Sequence, residues 1–244
     1  MVLFQSKKAG LLLEITTDTL PQQNHSNQLI MKGLAPHTSK IFEDISKLEC
    51  IKPYVLVGGT ALSLQLGNRQ SEDLDFMSWR KSKDDKREVD WPKIKKELEK
   101  IGEVEKCDIL DIDHVEFIVS GVKISFYANP NKSPLQKQIH LINNLKIADP
   151  IAIGAMKMEV MLRRSKFRDL YDIYSLVANN YSLTDMIDLA LKYSEHKLKS
   201  KNLLAMLTRS ERFAADADIA HLNPIYDVTP QDIELKLREL LSNA

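Results

Sequence analysis

Two hydrophobic periods succeed one another along this chain. Ile41, Phe42 and Ile45 recur at helical spacing behind Pro36, a residue suited to a first turn, so a helix is expected over 36–48. Residues 54–57 form a short, β-branched apolar run that ends in Gly58-Gly59, the pattern of a buried strand entering a tight turn. Residues 60–67 read as a helix opened by a threonine cap and closed by glycine, and 73–77 alternate acidic and apolar residues as a strand does. A charged stretch over 79–100 follows, in which Pro92 starts a helix. Three more strands are expected at 104–110, 115–120 and 122–127, the last two turned tightly around Gly121.

From Asp149 onward the period is helical. Asp149-Pro150 is a cap followed by a proline at the first helical position, and Thr229-Pro230 repeats that signal. Between them helices are expected over 150–164, 167–179, 184–193 and 199–208. An α/β half is thus followed by a helical half, with the boundary in or shortly after the polar, proline-containing segment 129–138. The first thirty residues, with an apolar stretch over 11–15 and a polar one over 21–28, give no definite element, and no internal repeat is visible.

Composition narrows the partners. The 244 residues are 43% hydrophobic, enough for a real core, and lysine plus arginine equals aspartate plus glutamate at 34 each. No global basic field therefore draws the protein to nucleic acid or an anionic membrane, and any such contact must be local. The lysine- and arginine-rich run over 80–100 and the basic segment 192–212 are candidates, though a solvated surface explains either equally well. No apolar run approaches the roughly 20 residues of a membrane span, and the start lacks a secretory signal, so a cytoplasmic protein is expected. Cys50 and Cys107 lie in no ligand-like spacing and read as buried structural thiols; the histidines are scattered and suggest no site.

The chemistry concentrates between residues 55 and 77. Gly58 and Gly59 remove side-chain bulk where a polyphosphate would approach the backbone, and the helix start behind them offers unpaired amides with partial positive charge. Thr60 can cap that helix or bind phosphate. In a strand, Asp73 and Asp75 project to the same side, roughly 6.6 Å apart along the chain, while Leu74 and Phe76 point the other way. Two such carboxylates repel each other unless a cation compensates, and hard oxygen ligands suit magnesium. Further on, Lys157 is flanked by apolar helical neighbours that cannot neutralise it. Its counter-charge could be a phosphate or a carboxylate on the sheet, or the amine could reach solvent. Arg168, Asp169 and Asp172 are expected opposite the apolar stripe of the next helix, where an Arg168–Asp172 pair would suffice to explain them.

Gly58-Gly59-Thr60-Ala61-Leu62, followed by Asp73-Leu74-Asp75-Phe76, resembles the nucleotidyltransferase superfamily, and more narrowly the AbiEii-type toxins of toxin–antitoxin and phage-defence systems. The likeness continues through Lys157-Met158-Glu159, Arg163, Arg164 and Arg168-Asp169-Leu170-Tyr171-Asp172. It implies an α/β (α+β) nucleotidyltransferase fold: a small mixed sheet flanked by helices over 1–145, with 1–30 as an extension, then a helical domain over 146–244 that completes the cleft. It also implies a nucleoside triphosphate as substrate, held by Gly58, Gly59, Thr60 and Lys157. Asp73 and Asp75 would bind magnesium, or manganese in its place, and Asp172 would support the site or help deprotonate the acceptor. Transfer RNA or another RNA is the implied acceptor, and a cognate antitoxin the implied partner.

One position departs from the pattern. Many nucleotidyltransferases carry a third acid on a later strand, where this chain has Ser125. A hydroxyl is neither a strong base nor a comparable metal ligand. Glu116, Asp108, Asp111 and Asp113 are all available as substitutes. Two alternatives therefore stand beside RNA modification: an antibiotic-type enzyme acting on a small molecule, with an acidic acceptor pocket, and a degenerate member that binds nucleotide or a partner without turnover.

Overall fold

The computed structural model describes residues 32–80, 82, 88–195, 197–216 and 219–242. Residues 1–31, and residues 81 and 83–87 of the charged run, lie outside them. The described part begins with α1 (Pro36–Lys47), whose Phe42 and Ile45 are buried as the spacing predicts. The next elements are β1 (Val55–Val57), α2 (Gly58–Leu66), β2 (Leu74–Trp79) and α3 (Trp91–Leu98). Asp90 caps α3 by accepting from Lys93 N. Three strands follow as expected: β3 (Val104–Asp111), β4 (His114–Val119) and β5 (Val122–Asn129). Ser120 and Gly121 both take positive φ, the requirement of a two-residue hairpin turn.

The sequence pattern missed a hairpin. Strands β6 (Gln138–Ile142) and β7 (Leu145–Ala148) lie where a polar boundary was expected, and the last strand runs just past residue 145. Both are short, and β7 is recognisable only through its partner: Leu56 of β1 pairs with Ile147 in parallel. The described residues thus build a seven-stranded mixed sheet in the order β3-β4-β5-β2-β1-β7-β6. One face buries Leu74 and Phe76 of β2, Val115 and Phe117 of β4, and Ile124 and Phe126 of β5, with Phe76 stacked on Phe126 at 5.2 Å. Alternation sends Asp75, Met77, Lys123, Tyr127, His114 and Glu116 to the other face.

Helices carry the rest: α4 (Pro150–Val160), α5 (Phe167–Ala178), α6 (Leu183–Tyr193), α7 (Ser200–Leu207) and α8 (Pro230–Ser242). Asp149 caps α4 through Ala152 N, as its Asp-Pro signal predicts. This helix is apolar on nearly every side because α2, α5 and α6 all pack against it. Gly154 makes the closest approach possible: a Cβ there would fall 2.2 Å from Met186 Sδ and 3.0 Å from Leu176 Cδ1.

Two local readings need correction. Thr60 does not cap α2, which starts at Gly58 behind Val57 with no side-chain cap. Cys50 is buried, but Cys107 on β3 is only half-buried. No helix of the described residues is long and apolar enough to cross a membrane.

The packing at Gly154 can be tested directly. Gly154→Val should cost about 1–3 kcal/mol, the usual range for overpacking a filled core, read as a lower urea midpoint with an unchanged slope.

Candidate active site

Close approach explains the two glycines. Gly58 sits at φ +70°, and a Cβ on it would lie 3.1 Å from Asp75 Oδ2. A Cβ on Gly59 would fall 2.4 Å from Arg69 Nη2. One glycine therefore makes room for an acid and the other for a guanidinium. The amides of this first turn of α2 have no carbonyl one turn earlier to bond, so they remain donors for another group. Thr60 is buried, and its hydroxyl is engaged with Ser71 Oγ at 2.8 Å and with the carbonyl of Asp73. It fixes the loop that carries the acids, and only its backbone remains for a phosphate.

Asp73 immediately precedes β2 and Asp75 lies within it; both line the same cleft while Leu74 and Phe76 are in the core. The pair is electrostatically costly. Burial, and then the charge of Asp73, push the Asp75 carboxyl above its ordinary range, while Lys123, Ser125 and Lys157 pull the other way. Those two lysines are already committed: Lys123 Nζ lies 2.9 Å from Glu116 Oε1, and Lys157 is bonded to other acids. A divalent cation fits this pair of hard oxygen donors. Among the described residues no third histidine, cysteine or acid joins them, so water and substrate oxygens would have to complete its shell, as magnesium favours.

The position expected to hold a third acid is where the register predicts. Asp75 pairs with Ser125 of β5, and Ser125 with Glu116 of β4. Ser125 is fully buried, and its Oγ, although near enough to Asp75 to ease its charge, makes no hydrogen bond of normal geometry. Glu116 is occupied by Lys123. Of the acids left open by the sequence, Asp113 lines the cleft, beside His114, whose ring stacks on Tyr127 at 4.1 Å.

Behind the cleft wall lies a buried ladder of alternating charge. Arg69 Nε and Nη2 donate to the two oxygens of Asp172, each at 2.8 Å. Lys157 Nζ stands 2.7 Å from Asp172 Oδ2 and 2.7 Å from Asp169 Oδ1. Arg164 closes the other end with a fork on Asp169 at 2.8 and 3.0 Å. Asn68 adds a bond to Asp172 at 3.2 Å and another to Ser175 at 3.1 Å. Burial alone would raise both acids, but Lys157 with Arg164 holds Asp169, and Arg69 with Lys157 holds Asp172, below the usual carboxylate range.

This ladder revises the expected arrangement of the second motif block. Asp169 and Asp172 are fully buried instead of facing solvent, and Asp172 pairs with Arg69 and Lys157 instead of Arg168. The counter-charges of Lys157 are carboxylates on α5, one helix along. Lys157 still reaches the cleft wall, whereas Asp172 stands behind it. Sequence reasoning overlooked Arg69, because its partner lies 103 positions away and nothing local forecasts a buried guanidinium.

The cleft measures about 550 Å³. Its sheet side presents Gly58, Gly59, Asp73 and Asp75, and its helical side Met156, Lys157 and Val160 of α4. The α4–α5 connection adds Arg163 and Arg164 at the rim, and the first turn of α5 adds Arg168. Arg163 pairs with Glu159 at 2.7 Å, whereas Arg168 has no ion pair among the described residues. An acid pair beside a glycine-opened helix start, faced by a cationic wall, is the arrangement of a nucleotidyltransferase.

Comparison with known proteins agrees. The model of the AbiEii nucleotidyl transferase toxin family, type IV toxin–antitoxin system, matches residues 40–243, and the chain belongs to that family. It is 24% identical over 220 residues to an uncharacterized protein of Aquifex aeolicus (strain VF5), covering 87% of this chain and all of that one. The fold is similar to that of MenT4, a nucleotidyltransferase toxin from Mycobacterium tuberculosis H37Rv, at a TM-score of 0.54 and 15% identity, over 89% of this chain and 90% of the other. JHP933 from Helicobacter pylori matches at a TM-score of 0.48 and 21% identity, over 92% and 96% of the two chains.

Two outcomes follow from the charges. Asp172→Ala strands Arg69 in the interior and leaves Lys157 with Asp169 alone, so it should destabilise the protein by about 3–5 kcal/mol at neutral pH. Because the folded carboxyl is depressed, wild type has this advantage above the ordinary aspartate pKa of about 3.9 and loses it as pH falls through the folded value. Denaturant curves of both proteins should therefore converge in acid. Asp75 has the opposite sign: its raised carboxyl makes the ionised form unfavourable at neutral pH. Metal-free Asp75→Asn should melt higher than wild type, by roughly 2–4 °C for each 1 kcal/mol relieved. Added magnesium should raise the melting temperature of wild type alone.

Proposed function

We propose that this nucleotidyltransferase moves a nucleoside monophosphate from a nucleoside triphosphate to a hydroxyl of RNA, with transfer RNA as the first choice. The reading is carried by one observation: an acid pair that makes no ion pair among the described residues faces a cationic wall across a cleft of nucleotide size. The backbone amides of Gly58, Gly59 and Thr60 would hold the triphosphate at the start of α2. Asp73 and Asp75 would hold magnesium, or manganese in its place, which would offset charge on the α-phosphate and on departing pyrophosphate.

Lys157, clamped by two carboxylates, presents a fixed positive charge at the cleft wall, already ordered before substrate arrives. Asp172 acts as its positioning residue, since it is enclosed by Arg69, Lys157 and Asn68 and does not face the cleft. The acceptor hydroxyl attacks the α-phosphorus and releases its proton to solvent, a P–O bond forms, and the bond to pyrophosphate breaks. The helical residues over 146–244 supply the wall that orients both partners.

Arg163, Arg164 and Arg168 at the rim support a polyanionic acceptor over the cationic small molecule of an antibiotic-type enzyme. Membership in a toxin family implies a cognate antitoxin.

Purified protein, magnesium, total RNA and each labelled triphosphate in turn test this reading. Label should enter RNA with at least one nucleotide, disappear on chelation, and fall by at least about 10²–10³-fold in Asp75→Asn, the loss typical of removing one electrostatic stabiliser. Transfer that survives in Asp73→Ala and Asp75→Ala would remove the acid pair from the mechanism. Label on a small aminated acceptor but never on RNA would favour the antibiotic-type enzyme.

A further inference from the structure

The cleft changes character along its length. Asp75, Met77 and Trp79 share one face of β2 and pair with Ser125, Tyr127 and Asn129 of β5. Strand rise carries Met77 about 6.6 Å and Trp79 about 13 Å beyond Asp75, away from Gly58-Gly59 at the end of β1. Past Asp75, Met77 lines the sheet side and Met156 and Val160 of α4 the helical side, with the Glu159–Arg163 ion pair beside them. Tyr193, the last residue of α6, stands at this end.

The phenol is oriented by its neighbours. Tyr193 Oη accepts from Asn129 Nδ2 at 3.0 Å and, over a longer 3.4 Å, from Trp79 Nε1. Asn129 cannot be turned around without loss, because its Oδ1 accepts from Asn131 N at 2.9 Å. A phenol oxygen has two lone pairs and one proton. Both lone pairs are addressed, and among the described residues no acceptor takes the proton. Burial, its largest influence, raises the Tyr193 pKa and keeps that proton in place.

We propose that this apolar end receives the nucleobase of the triphosphate, and that Tyr193 donates its hydroxyl proton to a carbonyl oxygen or ring nitrogen of the base. Apolar walls of methionine and valine side chains suit a heteroaromatic ring, and a donor that can only donate selects for an acceptor on its edge. Tyr193 is then a specificity residue, remote from the bond that breaks. The proposal rests on the acid pair being the triphosphate end.

Calorimetry without any RNA separates the two readings. Wild type, Tyr193→Phe and Val160→Trp are titrated, with magnesium, with each of the four nucleoside triphosphates and with inorganic tripolyphosphate. Wild type should bind at least one nucleotide more tightly than tripolyphosphate. Tyr193→Phe should shrink that preference by about 3–10-fold, the worth of one hydrogen bond, and leave tripolyphosphate binding unchanged. Val160→Trp, which fills the slot from its open side, should abolish the preference. The base subsite is overturned if Tyr193→Phe binds every nucleotide as wild type does, if it loses tripolyphosphate in equal measure, or if wild type never favours a nucleotide. In that last case tripolyphosphate binding would leave the triphosphate site standing, while failure to bind either ligand would remove both.

Discussion

The arrangement depends on two carboxylates buried one helical turn apart on α5. Asp169 and Asp172 are inaccessible to solvent, and three cations from three segments converge on them: Arg69 from the loop before β2, Lys157 from α4, and Arg164 from the α4–α5 connection. Taking such charges out of water costs several kcal/mol per ion, and only complete pairing offsets it. Among the described residues Asp172 is the one ion-pair partner of Arg69, so it cannot leave without stranding that guanidinium. The ladder therefore fixes the helical wall against the sheet in one register, and through the contact of Arg69 with Gly59 it also fixes the start of α2.

The same ladder sets the polarity of the cleft. It contains one more cation than anion, and its surplus faces an acid pair that makes no ion pair among the described residues. Positive and negative walls are thus held apart by a rigid scaffold instead of collapsing onto each other. Lys157 could neutralise Asp75 if it were released, but two hydrogen-bonded carboxylates hold it back. The unfavourable charge at Asp75 is retained because stability is supplied by the ladder behind it, a division of labour common where sites store strain.

What the sequence revealed follows the range of the interactions involved. Pro36, Asp149-Pro150, Pro230 and Ser120-Gly121 act on their own backbone neighbourhood, so the elements they bound were readable within a few residues. The alternation that sends Asp75 to the cleft and Phe76 to the core is equally local. The hairpin of β6 and β7 was not, because its burial comes from pairing with β1, far earlier in the chain. Nor was the burial of Asp172, which depends on an arginine 103 residues away. Thr60 shows a subtler failure: its residue type fits a cap or a phosphate ligand, yet its hydroxyl is used by Ser71 and Asp73 once the loop folds back over α2.

Ser125 gains meaning from its place in the sheet. It occupies the same cross-strand row as Asp75 and Glu116, so a carboxylate there would add a third negative charge beside a pair already disfavoured by burial. With serine, that repulsion is absent, and the next acid along the row is satisfied by Lys123. Asp113, from the β3–β4 turn, and His114, the first residue of β4, line the same cleft, where the register sets His114 beside Tyr127. The sheet thus keeps its charge density tolerable at the acid pair.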